Sequence, residues 1–245
     1  MKDILKAEKI TKAYGEKQVL SGIDIHLKEG ELVGILGASG VGKTTLFNVL
    51  SGLVLPDSGR VFLEDSDITG KNGYLSYMLQ KDMLLPHKRI VDNVALPLTL
   101  SGMARDEARE RALKYFSQFG LSGYEYKYPS ELSGGMRQRA AFLRTYLCDK
   151  KVALLDEPFS SLDTLTRASI EEWYLKVMRE IKLSTLFITH DIDEAILLSD
   201  RIYVLKGSPA TISMELTIDK TAVGDQDFTL SETFLEYKRQ IKAML

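Results

Sequence analysis

An apolar run, Leu32-Val33-Gly34-Ile35-Leu36, leads into Gly37-Ala38-Ser39-Gly40-Val41-Gly42-Lys43-Thr44, and Thr45-Leu46-Phe47-Asn48-Val49-Leu50 follows. No other stretch restricts the chain so tightly. The first run reads as a short buried strand and the last as the opening of a helix. A glycine-rich turn between them presents successive backbone N–H groups to an anion, backed by the positive end of the helix. So placed, Lys43 reaches the β- and γ-phosphates of a nucleotide and the Thr44 hydroxyl holds Mg²⁺. The alternative is an ordinary glycine turn. The strand before it and the helix after it argue for the phosphate cradle.

The rest of the chain is compatible with a nucleotide-binding α/β core. Its 245 residues suit one large α/β domain or a domain with a substantial insertion. A net charge of −2 gives no overall electrostatic footprint for nucleic acid, although a local basic patch stays open. Cys148 is the only cysteine, so no internal disulfide forms, which fits a reducing compartment. Its residue type suits a small buried hydrophobe. The segment Met1-Lys2-Asp3-Ile4-Leu5-Lys6 has no apolar core of signal-peptide length, and no stretch approaches 18 uninterrupted apolar residues. Work at a membrane would therefore need another chain to hold this one there.

Residues 2 to 36 hold short alternating segments, with Val19, Leu20, Ile23, Ile25 and Leu27 strand-like and Tyr14-Gly15-Glu16-Lys17 a turn. Tyr14 is either a packing residue or a ring that stacks on a base. Pro56-Asp57-Ser58-Gly59 reads as a turn, Arg60 to Glu64 as a strand, and Gly73 to Leu79 as another ending at Gln80. From Asp82 to Met103 the signal is mixed, broken by Pro86 and Pro97. Arg105 to Phe119 predicts an amphipathic helix through Ala108, Ala112, Tyr115, Phe116 and Phe119, stopped by Gly120. Residues from about 87 to 147 read as a mostly helical insertion, flanked by α/β core at about 1–86 and 148–206. Ile170, Trp173, Tyr174, Val177 and Ile181 form a core-facing helical stripe. Leu186 to Thr189 and Ile202 to Leu205 are strands around a helix at Asp191 to Leu198, and this alternation implies a parallel sheet. Residues 207–245 supply a turn at Gly207-Ser208-Pro209, a half-exposed strand through Ile212, Met214, Leu216 and Ile218, and a last helix opened by a capping box from Thr229 to Glu232.

Two further constellations carry chemistry. Val152-Ala153-Leu154-Leu155 is continuous and apolar, as in a strand buried on both faces, and it ends in Asp156-Glu157-Pro158. In open α/β sheets ligands bind beyond the carboxyl ends of strands. Adjacent residues there point apart, so Asp156 can hold Mg²⁺ while Glu157 polarises an attacking water. Leu132-Ser133-Gly134-Gly135-Met136-Arg137-Gln138-Arg139 opens a helix whose apolar residues are Met136, Ala140, Leu143 and Leu147. It reads as a second anion-binding helix start. A plain Ser133 N-cap with a Gly-Gly hinge also fits. His190 follows a strand, so a ring nitrogen there can hydrogen-bond a γ-phosphate. His26 and His87 lack such placement and read as structural.

Together these residues resemble the ATP-binding-cassette (ABC) ATPases, in the right order from Tyr14 to about Leu205. The resemblance implies a P-loop NTPase core with a RecA-like parallel sheet, an N-terminal antiparallel β subdomain and a helical insertion. It implies a P-loop from Gly37 through Thr45, Gln80 as the sensor of Mg²⁺ and attacking water, and Leu132 to Gln138 as the signature. It also implies Glu157 as the catalytic carboxylate, Ser161-Leu162-Asp163 as the loop that communicates across a dimer, His190 as the switch histidine and Tyr14 as the adenine-stacking aromatic. In the family two copies sandwich two ATP molecules, and Ser133, Gly134 and Gly135 of one copy complete the site of the other. Many signatures carry Gln where this chain has Met136. A Met cannot make the amide's hydrogen bond, but Ser133-Gly134-Gly135 is untouched, so tuning rather than loss is expected.

A narrower resemblance, to ATPase subunits of nitrate, sulfonate, taurine and thiamine-precursor importers, rests on Asp92 to Leu98, Leu132 to Arg139, Asp156 to Asp163 and Thr189 to Ala195. It implies a homodimer in the ATP-bound state, a separate membrane permease, an indirect solute-binding partner, no nucleic acid, and a place on the cytoplasmic face of the membrane. A permease helix would dock near Gln80 to Val94, where Met83, Leu84, Leu85 and Ile90 either line a groove or pack the insertion. The competing readings are a soluble cassette ATPase acting on nucleic acid or ribosomes, and an exporter subunit. The first usually brings two cassettes, a long coiled coil or a basic surface, none of which is evident.

Overall fold

The computed structural model describes residues 2–160, 164–220 and 228–245. In chain order these are β1 (Asp3–Tyr14), β2 (Lys17–Lys28), β3 (Leu32–Gly37), α1 (Lys43–Leu50), β4 (Ser58–Leu63), β5 (Ser66–Asp67) and β6 (Ser76–Met78). Then come α2 (Ile90–Val94), α3 (Leu96–Leu100), α4 (Arg105–Leu113), α5 (Gly134–Tyr146), β7 (Val152–Asp156) and α6 (Thr164–Ile181). The chain closes with β8 (Ser184–Thr189), α7 (Ile192–Leu198), β9 (Arg201–Gly207), β10 (Ala210–Thr217) and α8 (Glu232–Met244). The molecule divides into two compact units, Met1–Leu75 with Leu183–Leu245, and Ser76–Lys182.

In the first unit the strands run in the order β5-β4-β1-β2-β10-β9-β3-β8. β3 is parallel to both β8 and β9, with Leu36 opposite Thr189 and Gly37 opposite Leu205. β1 pairs antiparallel with β2 and β4, and β9 with β10. β3 is buried along its whole length, as a central strand covered on both faces must be. One core joins Leu36 of β3, Ala195 and Ile196 of α7, Ile202 and Val204 of β9, and Phe234 and Ile241 of α8.

The far end of β9 carries a buried charge network. Arg201, its side chain 4% exposed, meets Glu31 at 2.9 Å and Glu215 at 2.9 Å. It also donates to the Tyr203 hydroxyl, which lies 2.9 Å from His26 Nδ1. His26 is thus a structural histidine. Burial opposes the Glu31 charge, yet the Arg201 guanidinium and the Lys28 backbone N–H outweigh it and hold the carboxyl below its ordinary value of 4.5. The unfolded chain therefore binds a proton at higher pH than the folded one. The stability this contact adds is complete above that ordinary value and is lost as pH falls through the depressed one. Melting temperatures from about pH 6 down to about pH 3 are expected to fall steeply at the acid end, and Glu31→Gln to flatten that slope. An unchanged slope would remove Glu31 from the acid transition.

In the second unit β6 and β7 pair in parallel, Ser76 to Ala153 and Met78 to Leu155. α2 packs on α4 and α5, and α5 on α6 and β6. Phe119, Phe142, Tyr146, Trp173, Tyr174 and Phe159 form an aromatic core with ring centroids 5.1–6.1 Å apart. These rings explain a departure from the sequence expectation. The helix predicted to Phe119 ends at Leu113, and Phe116 and Phe119 enter the core from a run of turns instead. Packing of the two rings overrides helical periodicity there.

Other boundaries shift for local reasons. The strand expected over Gly73 to Leu79 is only Ser76–Met78, since Gly73 has φ +80 and pairing with β7 ends at Met78. Pro97 does not interrupt a helix; it sits in the first turn of α3, where no N–H is needed. The last helix is capped by Ser231, whose Oγ accepts the Phe234 N–H at 3.1 Å, whereas Thr229 lies in a preceding 3₁₀ turn. Leu84 and Ile90 are buried, whereas Met83 is exposed.

Candidate functional site

The glycine loop sits in the first unit. Gly37 closes β3, and a Cβ there would lie 2.7 Å from the Leu205 carbonyl oxygen, so no larger residue fits. Gly42 has φ +120, a conformation foreign to other L-residues, and turns the chain into α1. Lys43 is buried and its ammonium donates to the carbonyls of Gly37 at 2.8 Å and Ala38 at 3.0 Å. The lysine thereby ties the two ends of its own loop. The Ala38, Ser39 and Gly40 backbone is exposed along the mouth, as is Thr44, with Thr45 beside it in the first turn of α1.

Gly37, Ala38, Ser39, Gly40 and Val41 line a cleft of about 460 Å³ together with Lys17, Lys206 and His190. That volume lies within the range of small-molecule sites. Two lysines and a helix start give it a positive field suited to an anion. Lys17 and Lys206 escaped the sequence reading, because isolated lysines on strands carry no local signal. Tyr14 is 49% exposed with the Lys12 ammonium 5.6 Å from its ring centroid. It pairs with Lys17 in the β1–β2 register and is not among the residues lining the cleft.

The second unit brings the carboxylates, Gln80 and the signature segment together. Asp156 ends β7, buried, and receives the Tyr77 hydroxyl at 3.4 Å. Burial, the Asp156 charge and this hydrogen bond push the Tyr77 phenol far above its ordinary range, so it stays a donor. Glu157 follows in the left-handed region, φ +45. Gln80 Nε2 donates to Glu157 Oε2 at 3.1 Å and to Ser160 Oγ at 3.3 Å. Ser160 Oγ donates to the Glu157 carbonyl at 3.1 Å.

Ser133 is the N-cap of α5, its Oγ accepting the Met136 N–H at 3.3 Å, with Gly134 and Gly135 in the first turn. Five residues further along, buried Gln138 donates to the Pro158 carbonyl, just past Glu157. Arg137 holds Asp82 at 3.2 Å, and Arg144 donates to the Asp82 and Met83 carbonyls. α5 is thus fastened both to the loop after β7 and to the segment after Gln80. Neither link has a local sequence signature. Ser161-Leu162-Asp163 lies outside the described residues.

Among the described residues no three His, Cys, Asp or Glu side chains gather into a metal cage.

A glycine loop between a buried parallel strand and a helix, with its lysine and threonine, and a second buried strand tipped by Asp-Glu, define a P-loop nucleoside triphosphatase. Residues 20–160 match the family model described as ABC transporter. The chain is 42% identical over 210 residues to the formylaminopyrimidine import ATP-binding protein of Halalkalibacterium halodurans, covering 85% of this chain and 82% of that one. It is 36% identical over 239 residues to a nitrate import ATP-binding protein of Synechocystis, covering 94% and 89%. Among solved structures, a cassette from Clostridium perfringens, described as part of an ABC transporter complex, superposes with TM-score 0.81 at 25% identity over 100% of this chain and 99% of that one. A dimeric cassette bound to ADP and Pi superposes with TM-score 0.75 at 29% identity, covering 88% and 99%. The chain belongs to the ABC transporter family, as an ATP-binding and ATP-hydrolysing subunit.

Proposed function

We propose that this chain powers the import of a small solute by binding and hydrolysing ATP while a separate permease forms the path. The carrying observation is its likeness to import ATP-binding proteins at 36–42% identity across more than four-fifths of the chain. Those relatives are named for formylaminopyrimidine, nitrate and taurine. The solute here belongs to that set of small polar molecules, delivered through a solute-binding protein. The described residues contain no helix long and apolar enough to cross a membrane, in keeping with a permease that is a separate chain. The subunit works at the cytoplasmic face of that membrane.

Backbone N–H groups from Gly37 to Thr45 and the Lys43 ammonium cradle the phosphates. Thr44 and Asp156 would hold Mg²⁺, which would screen phosphate charge, and Gln80 would sense it and the attacking water. Glu157 takes a proton from the attacking water, His190 contacts the γ-phosphate, and Tyr14 stacks on the adenine. Two copies close head to tail around two ATP molecules, so that Ser133, Gly134 and Gly135 of each face the nucleotide of the other. A solved cassette described as dimeric and bound to ADP and Pi supports dimerisation. Residues from about 87 to 147 form the helical subdomain of each copy.

Affinity purification of the tagged chain from detergent-solubilised cells tests the reading. A multi-span membrane protein at equal stoichiometry is the expected companion, with a solute-binding protein encoded or recovered alongside. Recovery with ribosomes or nucleic-acid proteins alone would overturn it.

A further inference from the structure

His190 is exposed at the mouth of the cleft, yet both residues flanking it are fixed from beneath. Thr189, the last residue of β8, is 1% exposed. Its hydroxyl accepts the Asp191 N–H at 3.0 Å and donates to Glu194 Oε2 at 3.0 Å. Glu194, in the first turn of α7, is itself 6% exposed. The Asp191 carboxylate accepts the Asp193 N–H at 2.9 Å and the Glu194 N–H at 3.2 Å, so it caps α7. One buried hydroxyl therefore bridges the peptide on the far side of His190 to a buried carboxylate on the following helix. A hydroxyl has one proton, and here it is directed to Glu194, which leaves its lone pairs for the backbone.

We propose that the Thr189 hydroxyl and Glu194 are positioning residues for ATP hydrolysis, holding the three-residue segment 189–191 so that the His190 ring is presented to the γ-phosphate. The inference rests on the reading of His190 as a γ-phosphate contact. Neither Thr189 nor Glu194, both buried, is among the residues that line the cleft. Their effect passes through the backbone that carries His190, where a displacement of about 1 Å is enough to slow chemistry on the order of 10²-fold. Burial strengthens the arrangement, because a hydroxyl–carboxylate hydrogen bond away from water is charge-assisted.

The test compares steady-state ATP turnover of the full chain in Thr189→Val, Thr189→Ser, Glu194→Ala and Glu194→Gln, each checked by thermal melting. Thr189→Val and Glu194→Ala are expected to lower kcat about 10–100-fold while KM for ATP moves less than about threefold. Thr189→Ser keeps the hydroxyl and is expected to recover kcat to within about threefold, and Glu194→Gln, whose amide oxygen still accepts, to lie between. The decisive arm repeats Thr189→Val in a His190→Ala background under single-turnover conditions. Acting through His190, the valine adds no further loss there. If the two losses multiply while His190→Ala alone is slow, the clamp is overturned and the role of His190 stands. If His190→Ala turns over at the wild-type rate, the underlying reading falls and the clamp with it. Should Thr189→Val fail to fold, Glu194→Gln in the same two backgrounds gives the same comparison.

Discussion

Glu157→Gln is expected to leave ATP binding intact and to slow its hydrolysis by about 10²–10⁴-fold, the scale of general-base assistance. That corresponds to about 3–5 kcal/mol of barrier. The substitution is a narrow one in this structure. Gln has the same length as Glu, and its amide oxygen can still accept the Gln80 Nε2 donor that now lies 3.1 Å from Glu157 Oε2. The Ser160 contacts, from its Oγ at 3.1 Å and its N–H at 3.2 Å, go to the backbone carbonyl of residue 157 and survive. Asp156 is untouched, and its Tyr77 contact with it. What disappears is the negative charge and the ability to take a proton. Single-turnover hydrolysis with nucleotide binding followed in parallel separates the two effects. Hydrolysis near the wild-type rate would remove Glu157 from the role given to it.

Lys43→Met is expected to do the reverse, lowering ATP affinity by about 10²–10³-fold, or about 3–4 kcal/mol. Met keeps the length and the buried stem but supplies neither charge nor donors. Two hydrogen bonds from the ammonium vanish, those to the Gly37 and Ala38 carbonyls. A buried acceptor left unsatisfied costs about 1–3 kcal/mol, so the nucleotide-free protein should also melt earlier. The two losses are separable. Melting without nucleotide measures the loop's own contribution. Equilibrium binding at a temperature where both proteins are folded measures what the charge does for the phosphates. Wild-type affinity in the variant would mean that the ammonium serves the loop alone.

The glycine loop could be read from the sequence because its demands are local. Gly37 and Gly42 stand where a Cβ or an ordinary φ is excluded, and the buried β3 before them shows as an unbroken apolar run. The carboxylates after β7 were legible for the same reason. Elements whose limits depend on distant packing were less so. α4 stops at Leu113, after which Phe116 is buried and Phe119 is claimed by rings from α5 and α6, and nothing in residues 105–119 announces those partners. Met83, Leu84, Leu85 and Ile90 look alike in sequence, but only Met83 is strongly exposed; Asn93, fully buried, binds the Leu85 N–H and carbonyl and turns that stretch inward. The links from Gln138 to Pro158, from Gln80 to Glu157 and from Arg144 to the Asp82 carbonyl join residues far apart in sequence. Side-chain pairs of that separation leave no periodicity, spacing or composition to read.

The left-handed backbone at Glu157 has a consequence for how such a chain decays. At φ +45 a glutamate sits where its Cβ is crowded, a conformation that costs of order 1 kcal/mol and that glycine, asparagine or aspartate adopts more readily. The role proposed for Glu157 restricts this position to a carboxylate of the right length, while the fold leans toward smaller residues. A copy of the gene freed from the need to hydrolyse ATP would therefore meet little resistance at this codon. Replacement of Glu157 by Gly would relax the backbone as it silenced the site, so loss of activity here runs downhill in folding stability.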